Sequence, residues 1–178
     1  MKISRYISTE FDNVECPHLK VDGTPESTGI LPPATIFPGE EYQHVSWIHP
    51  LIASVFDAAR ERWDSPILVT SGIRCQAYQE VLRKKGLRTA EVSPHVYGVA
   101  LDIQSQRAVE RGIDPTLLVH DSKRIAELIH KVDPGIRIFC ARYAFKFVHM
   151  DAAYLIPDPL PDGRAKPESW KAGVRDFP

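Results

Sequence analysis

Ser93-Pro94-His95-Val96-Tyr97-Gly98-Val99-Ala100-Leu101-Asp102 decides how this chain is read, and Phe147-Val148-His149-Met150-Asp151 completes it, with His149 placed 47 residues after Asp102. Val99, Leu101 and Ile103 alternate with Gly98, Ala100 and Asp102, which is the period of a strand. The large residues fill a core from one face. The other face sets small Gly98 and Ala100 beside Asp102 and leaves room for an ion. On the later strand Phe145, Phe147, His149 and Asp151 share one face, and Lys146, Val148 and Met150 share the other. Zinc binds imidazole nitrogen and carboxylate oxygen, and a catalytic site needs three protein ligands and one open position. His95, Asp102 and His149 supply that count. His95 and Asp102 are seven residues apart, across a turn that Gly98 makes tight. Asp151 on the His149 face stands near the metal, either orienting it or acting on its water.

Working outward, Ile48, Ile52, Val55 and Ala59 fall at helical spacing, widened by Leu51 and Phe56, and predict a helix over about 48–62 with Pro50 in its first turn. Ile67–Thr70 reads as a strand ending at Ser71-Gly72. Gln76–Lys85 reads as a helix closed by Gly86, and residues 87–94 as loop. Asp114-Pro115 starts a short helix, and Asp121 or Ser122 caps another that presents Ile125, Leu128, Ile129 and Val132. Asp133-Pro134-Gly135 is a turn before strands over 136–141 and 144–150. The expected fold class is α+β, a small, mainly antiparallel sheet with flanking helices.

The chain has 178 residues, 43% of them hydrophobic, enough for one domain with a real core. Eleven of the 15 prolines lie in residues 1–50 or 157–178, so irregular arms flank a folded body. Residues 15–40 read as an extended wrap and 157–178 as a Pro-rich surface tail pinned by Trp170. Lys+Arg 22 against Asp+Glu 23 leaves a net charge of −1, without the cation surplus that sequence-independent nucleic-acid binding needs. No apolar run is long enough to insert in a membrane. The opening MKISRYISTEFDNVEC lacks the apolar stretch of a secretory signal, so the expected place of synthesis is the cytoplasm. The three cysteines, Cys16, Cys75 and Cys140, are expected to be free, mostly buried thiols. Cys16-Pro17-His18 offers two ligands only, too few for a metal site.

The ordered motifs SPHVYGVALD and HMD, with Ser71-Gly72-Ile73-Arg74 upstream, resemble the zinc D-alanyl-D-alanine carboxypeptidases and dipeptidases. That family includes L-alanyl-D-glutamate endopeptidases of phage lysins and related murein endopeptidases, and the hedgehog signalling domain shares its fold. Ile7-Ser8-Thr9-Glu10-Phe11 also resembles the start of one branch, so the likeness covers about residues 7–155 of a single domain spanning 1–178. It implies one Zn2+ held by His95, Asp102 and His149, and hydrolysis of an amide bond in peptidoglycan stem peptides or related D-amino-acid peptides. It implies that Arg74 points into the cleft to hold a substrate carboxylate or an oxyanion, and that Ser93 bonds the substrate or caps its turn. Two positions depart from the family pattern. Ile73 replaces an aromatic residue. Lys146 stands where many members carry an acidic general base three residues before the last histidine. Asp151 is then the first candidate for the base and Glu91 the second. The alternatives are a catalytically impaired zinc-binding structural or cell-wall-binding protein and a virion-associated component. Action on cell wall by a protein made in the cytoplasm requires phage-assisted release or another export route.

Overall fold

The structure, a computed structural model, describes residues 48–72, 76–84, 86, 90–110, 115–135, 137–143 and 147–171. The opening residues with the 15–40 wrap, Arg74, Lys146 and residues 172–178 lie outside the described residues. Four strands, β1 (Ile67–Ser71), β2 (Ala100–Ser105), β3 (Phe139–Tyr143) and β4 (Phe147–Asp151), form one sheet in the order β1-β2-β4-β3. Every pairing is antiparallel. The α-helices among the described residues are α1 (Pro50–Arg62), α2 (Gln76–Lys84), α3 (Gln106–Glu110), α4 (Pro115–Val132) and α5 (Glu168–Lys171). This is the small α+β fold expected from the sequence.

The two faces of the sheet separate stability from chemistry. Leu101, Ile103, Val148, Met150 and Cys140 are buried in one core with Ile52, Phe56 and Ala59 of α1 and Ile125 and Ile129 of α4. Burying a side chain such as Phe56 or Ile52 stabilises the fold by about 1.5–3 kcal/mol. Helix α1 starts where expected. Pro50 occupies its first turn and the His49 ring accepts a hydrogen bond from the Leu51 N–H at 3.1 Å. Cys140 is a buried free thiol whose pKa burial pushes up.

One expectation fails. Residues 115–132 form a single helix of 18 residues rather than two, and Asp121 and Ser122 cap nothing. The Asp121 carboxylate instead takes two bonds from Arg107, both 2.8 Å, which tie α3 to α4. The Ser122 hydroxyl donates back to the Val119 carbonyl at 3.0 Å, a local bond compatible with a helix interior. Helix α3 was also not foreseen; its five residues are too few to display a period.

Candidate metal centre

The face of the sheet opposite the main core carries Asp102 and His149 as direct cross-strand partners in the β2–β4 ladder. Directly opposed residues point to the same side and approach closely. Asp102 Oδ1 lies 2.8 Å from His149 Nδ1. On β3 the partner of His149 is Ala141, and the Phe139 ring stands 6.5 Å from the His149 ring.

His95 arrives from a one-turn 3-10 helix, Pro94–Tyr97, that precedes β2. Gly98 ends that turn at φ 67° and ψ 21°, a left-handed conformation that costs glycine nothing. The Gly98 carbonyl accepts the His49 N–H at 2.8 Å, and the Val99 carbonyl accepts the Ala152 N–H at 2.9 Å. These bonds fix the turn between helix α1 and the end of β4. As a result His95 Nε2 lies 3.3 Å from Asp102 Oδ1.

Strand β1 supplies the orienting carbonyl. Val69 pairs with Ile103 and Ser71 with Asp102, so the register shifts between them. A bulge of this kind re-aims the chain beyond it. Beyond it, the Gly72 carbonyl sits 2.7 Å from His95 Nδ1. A ring that donates through Nδ1 keeps its Nε2 lone pair available for a ligand bond. His149 is arranged the opposite way round: its Nε2 meets Asp151 Oδ2 at 2.9 Å, and its Nδ1 faces Asp102. Asp151 is 1% exposed, and its other oxygen accepts the Ala153 N–H at 2.9 Å.

One ligand atom from each of His95, Asp102 and His149 lies within 4.8 Å of the others. Tetrahedral ligand atoms about 2.0–2.1 Å from zinc stand roughly 3.3 Å apart, and the His95–Asp102 separation is 3.3 Å. Two imidazoles and a carboxylate, with both far ring nitrogens anchored, fit a divalent cation by distance and by donor chemistry. The electrostatics agree. Burial opposes the charged form of His149, but its bonds to Asp102 and Asp151 prevail and hold its pKa at about 9. Burial also opposes ionisation of Asp102, yet the neighbouring His95 and His149 hold its carboxyl well below the usual range. The two shifts together show that the site favours positive charge.

The sequence model of one family, described as Peptidase M15, matches residues 18–151. The chain belongs to the peptidase M15 family. Members of this family are metallopeptidases, and the match spans all three residues of the cluster. No curated protein matches the chain. In this M15 peptidase Ser93 is buried directly before the turn that bears His95, and its side chain makes no capping bond there. Glu91 is exposed and lies in a bend outside the helices and strands. Two further contributors are Gly72, whose carbonyl meets His95, and His49, whose N–H meets the Gly98 carbonyl. Both act through backbone atoms that any residue possesses, so residue type carries no signal for them.

Proposed function

We propose that this M15 peptidase is a zinc-dependent hydrolase of an amide bond in peptidoglycan stem peptides or related D-amino-acid peptides. The observation that carries the reading is the triad His95, Asp102 and His149, with each histidine anchored through the nitrogen it does not need as a ligand. Zinc, when bound there, would polarise the scissile carbonyl and make water a nucleophile near neutral pH. The chain's own residues do the rest. Gly72 and Asp151 hold the two imidazole rings in one tautomer and one orientation. Asp102 supplies the carboxylate between them. Arg74 holds a substrate carboxylate or the developing oxyanion, and Ser93 bonds the substrate.

Asp151 serves here as a positioning residue rather than the base. Both of its oxygens are engaged, and it contacts the edge of the His149 ring opposite to Nδ1. The same engagement favours one second reading, a zinc-retaining protein that binds cell wall or peptide without cutting it. Digestion of purified murein with the zinc-loaded protein, followed by mass analysis, separates the two. Release of D-alanine or of cleaved stem peptides supports hydrolysis. Unchanged murein in the presence of protein holding one equivalent of zinc overturns it and favours the binding role.

A further inference from the structure

Residues 156–171 follow the last strand and lie beyond the segment that matches the family. They form a strap, and four of its side chains are buried: Ile156, Leu160, Lys166 and Trp170. The strap builds a second apolar cluster, separate from the main core. In that cluster Leu160 and Trp170 pack with Val96, Tyr97 and Val99, the residues that surround His95 and its turn. The Trp170 ring meets Tyr97 edge-on, at 6.3 Å between centroids and 82° between planes. Arg164 of the strap sits beside the Tyr97 hydroxyl.

Lys166 ties the later part of the strap back to its start. It is 6% exposed, and its ammonium donates to the Tyr154 carbonyl at 2.7 Å and the Ile156 carbonyl at 2.6 Å. Those carbonyls belong to the turn just after Ala153, whose N–H binds the same Asp151 carboxylate that orients His149. A buried ammonium is tolerated only when its donors are taken up, so this bond pair fixes the strap's path. The strap therefore packs at Tyr97 on the turn that carries His95 and bonds, at Tyr154 and Ile156, the turn that follows Asp151, so it reaches the surroundings of two ligands 54 residues apart in sequence.

We infer that the 156–171 strap is a positioning element of the metal centre, with Trp170 acting on His95 through Tyr97 and Lys166 acting on His149 through the Ala153 turn. The inference rests on the metal-ligand role assigned to His95 and His149. Supports bonded directly to a ligand typically alter metal affinity by about 10–100-fold, and residues that act through such a support fall at the lower end of that range. Coupling of this kind is reciprocal: if the strap tightens metal binding, bound metal must stabilise the strap by the same factor.

The full chain is tested with Zn2+ in competition with a chelator and with Co2+ as a spectroscopic probe. Trp170→Ala is expected to weaken Zn2+ binding about tenfold and to shift the visible Co2+ spectrum, while far-UV circular dichroism stays native. Trp170→Phe keeps an aromatic edge and is expected to restore most of the affinity. A folded Trp170→Ala protein with unaltered affinity and Co2+ spectrum overturns the inference. If that variant does not fold, hydrogen exchange on the unaltered protein decides. Zn2+ should slow exchange at the Leu160, Gly163 and Trp170 amides together with those of Val96 and Gly98. Slowing at Val96 and Gly98 alone overturns the inference. Absence of Zn2+ binding by the unaltered chain removes the metal-centre reading itself, which is a distinct result.

Discussion

Asp102 and His149 stand directly opposite one another on β2 and β4, with Oδ1 2.8 Å from Nδ1. His149 is bonded to a carboxylate at each edge of its ring, so it stays protonated to a pH well above an ordinary histidine. The same two carboxylates that retain the proton favour a divalent ion once the proton leaves.

Metal binding should therefore release a proton. With a His149 pKa of about 9, the ring is charged at pH 7–8 and must lose its proton to become a ligand. Calorimetric titration with Zn2+ in two buffers of different ionisation heat should give about one proton released per metal bound. Zero net release at pH 7–8 contradicts the assignment of His149 as ligand.

The stability of the metal-free protein follows from the same shift, with a definite sign. A pKa raised in the folded state gives a contribution that is complete below the unfolded value of 6.5 and is lost as pH rises through about 9. Asp102 works the other way: its pKa is lowered, so its contribution is lost as pH falls below the ordinary carboxylate range. Thermal melts of metal-free protein should show a falling midpoint from pH 7 to beyond pH 9. Zn2+-loaded protein should not follow that fall, because the metal replaces the proton. Parallel curves for the two forms would count against a shared site.

Gly98→Ala tests the turn between His95 and Asp102. Its φ of 67° lies in the left-handed region, where a Cβ costs about 1–2 kcal/mol. Two backbone bonds, from His49 and to the Val99 carbonyl, hold the turn in place. The melting temperature should fall and Zn2+ affinity should fall with it. Retention of both would mean that the turn relaxes without moving His95.

The face that carries Asp102 and His149 was legible because its signals are local and periodic. Asp102 and His149 each sit on a strand whose alternation sorts core from site, and the register then makes them partners. Asp121 shows where such reading stops. Its place before an apolar stripe resembles a helix cap, yet the partner that claims it, Arg107, lies on another helix. No local pattern foretells a contact between elements. The same holds for Lys166, an ordinary residue in the sequence whose two carbonyl acceptors are 10 and 12 residues away. Trp170 was visible as an anchor, but what it anchors against depends on the tertiary path of the strap.

Asp121→Asn separates fold stability from the metal site. Asp121 is fully buried and holds Arg107 by two bonds of 2.8 Å. Its pKa, lowered to about 2 mainly by the Arg107 bonds, means that its contribution persists to low pH and is lost as pH falls through about 2. Losing one partner of a buried pair should cost roughly 2–4 kcal/mol in denaturant unfolding. Zn2+ content should stay at one equivalent in the folded protein. A loss of metal without a loss of stability would place Asp121 in the wrong network.

Asp151→Asn discriminates between orienting His149 and abstracting a proton. The amide keeps the size of the carboxylate and can still accept one of the two hydrogen bonds, from His149 Nε2 or from the Ala153 N–H. It loses the negative charge that raises the basicity of His149. If Asp151 positions the ligand, Zn2+ affinity should fall about 10–100-fold, and turnover at saturating Zn2+ should remain within about tenfold of the unaltered enzyme. If Asp151 is the base, affinity should hold and turnover should fall by about two to four decades. Asp151→Ala adds a control. It leaves both donors without their acceptor in a buried site, so it should destabilise the fold by about 1–3 kcal/mol beyond the Asn variant. The geometry favours the affinity effect, because a carboxylate bonded to Nε2 acts on whatever Nδ1 holds only through the ring between them.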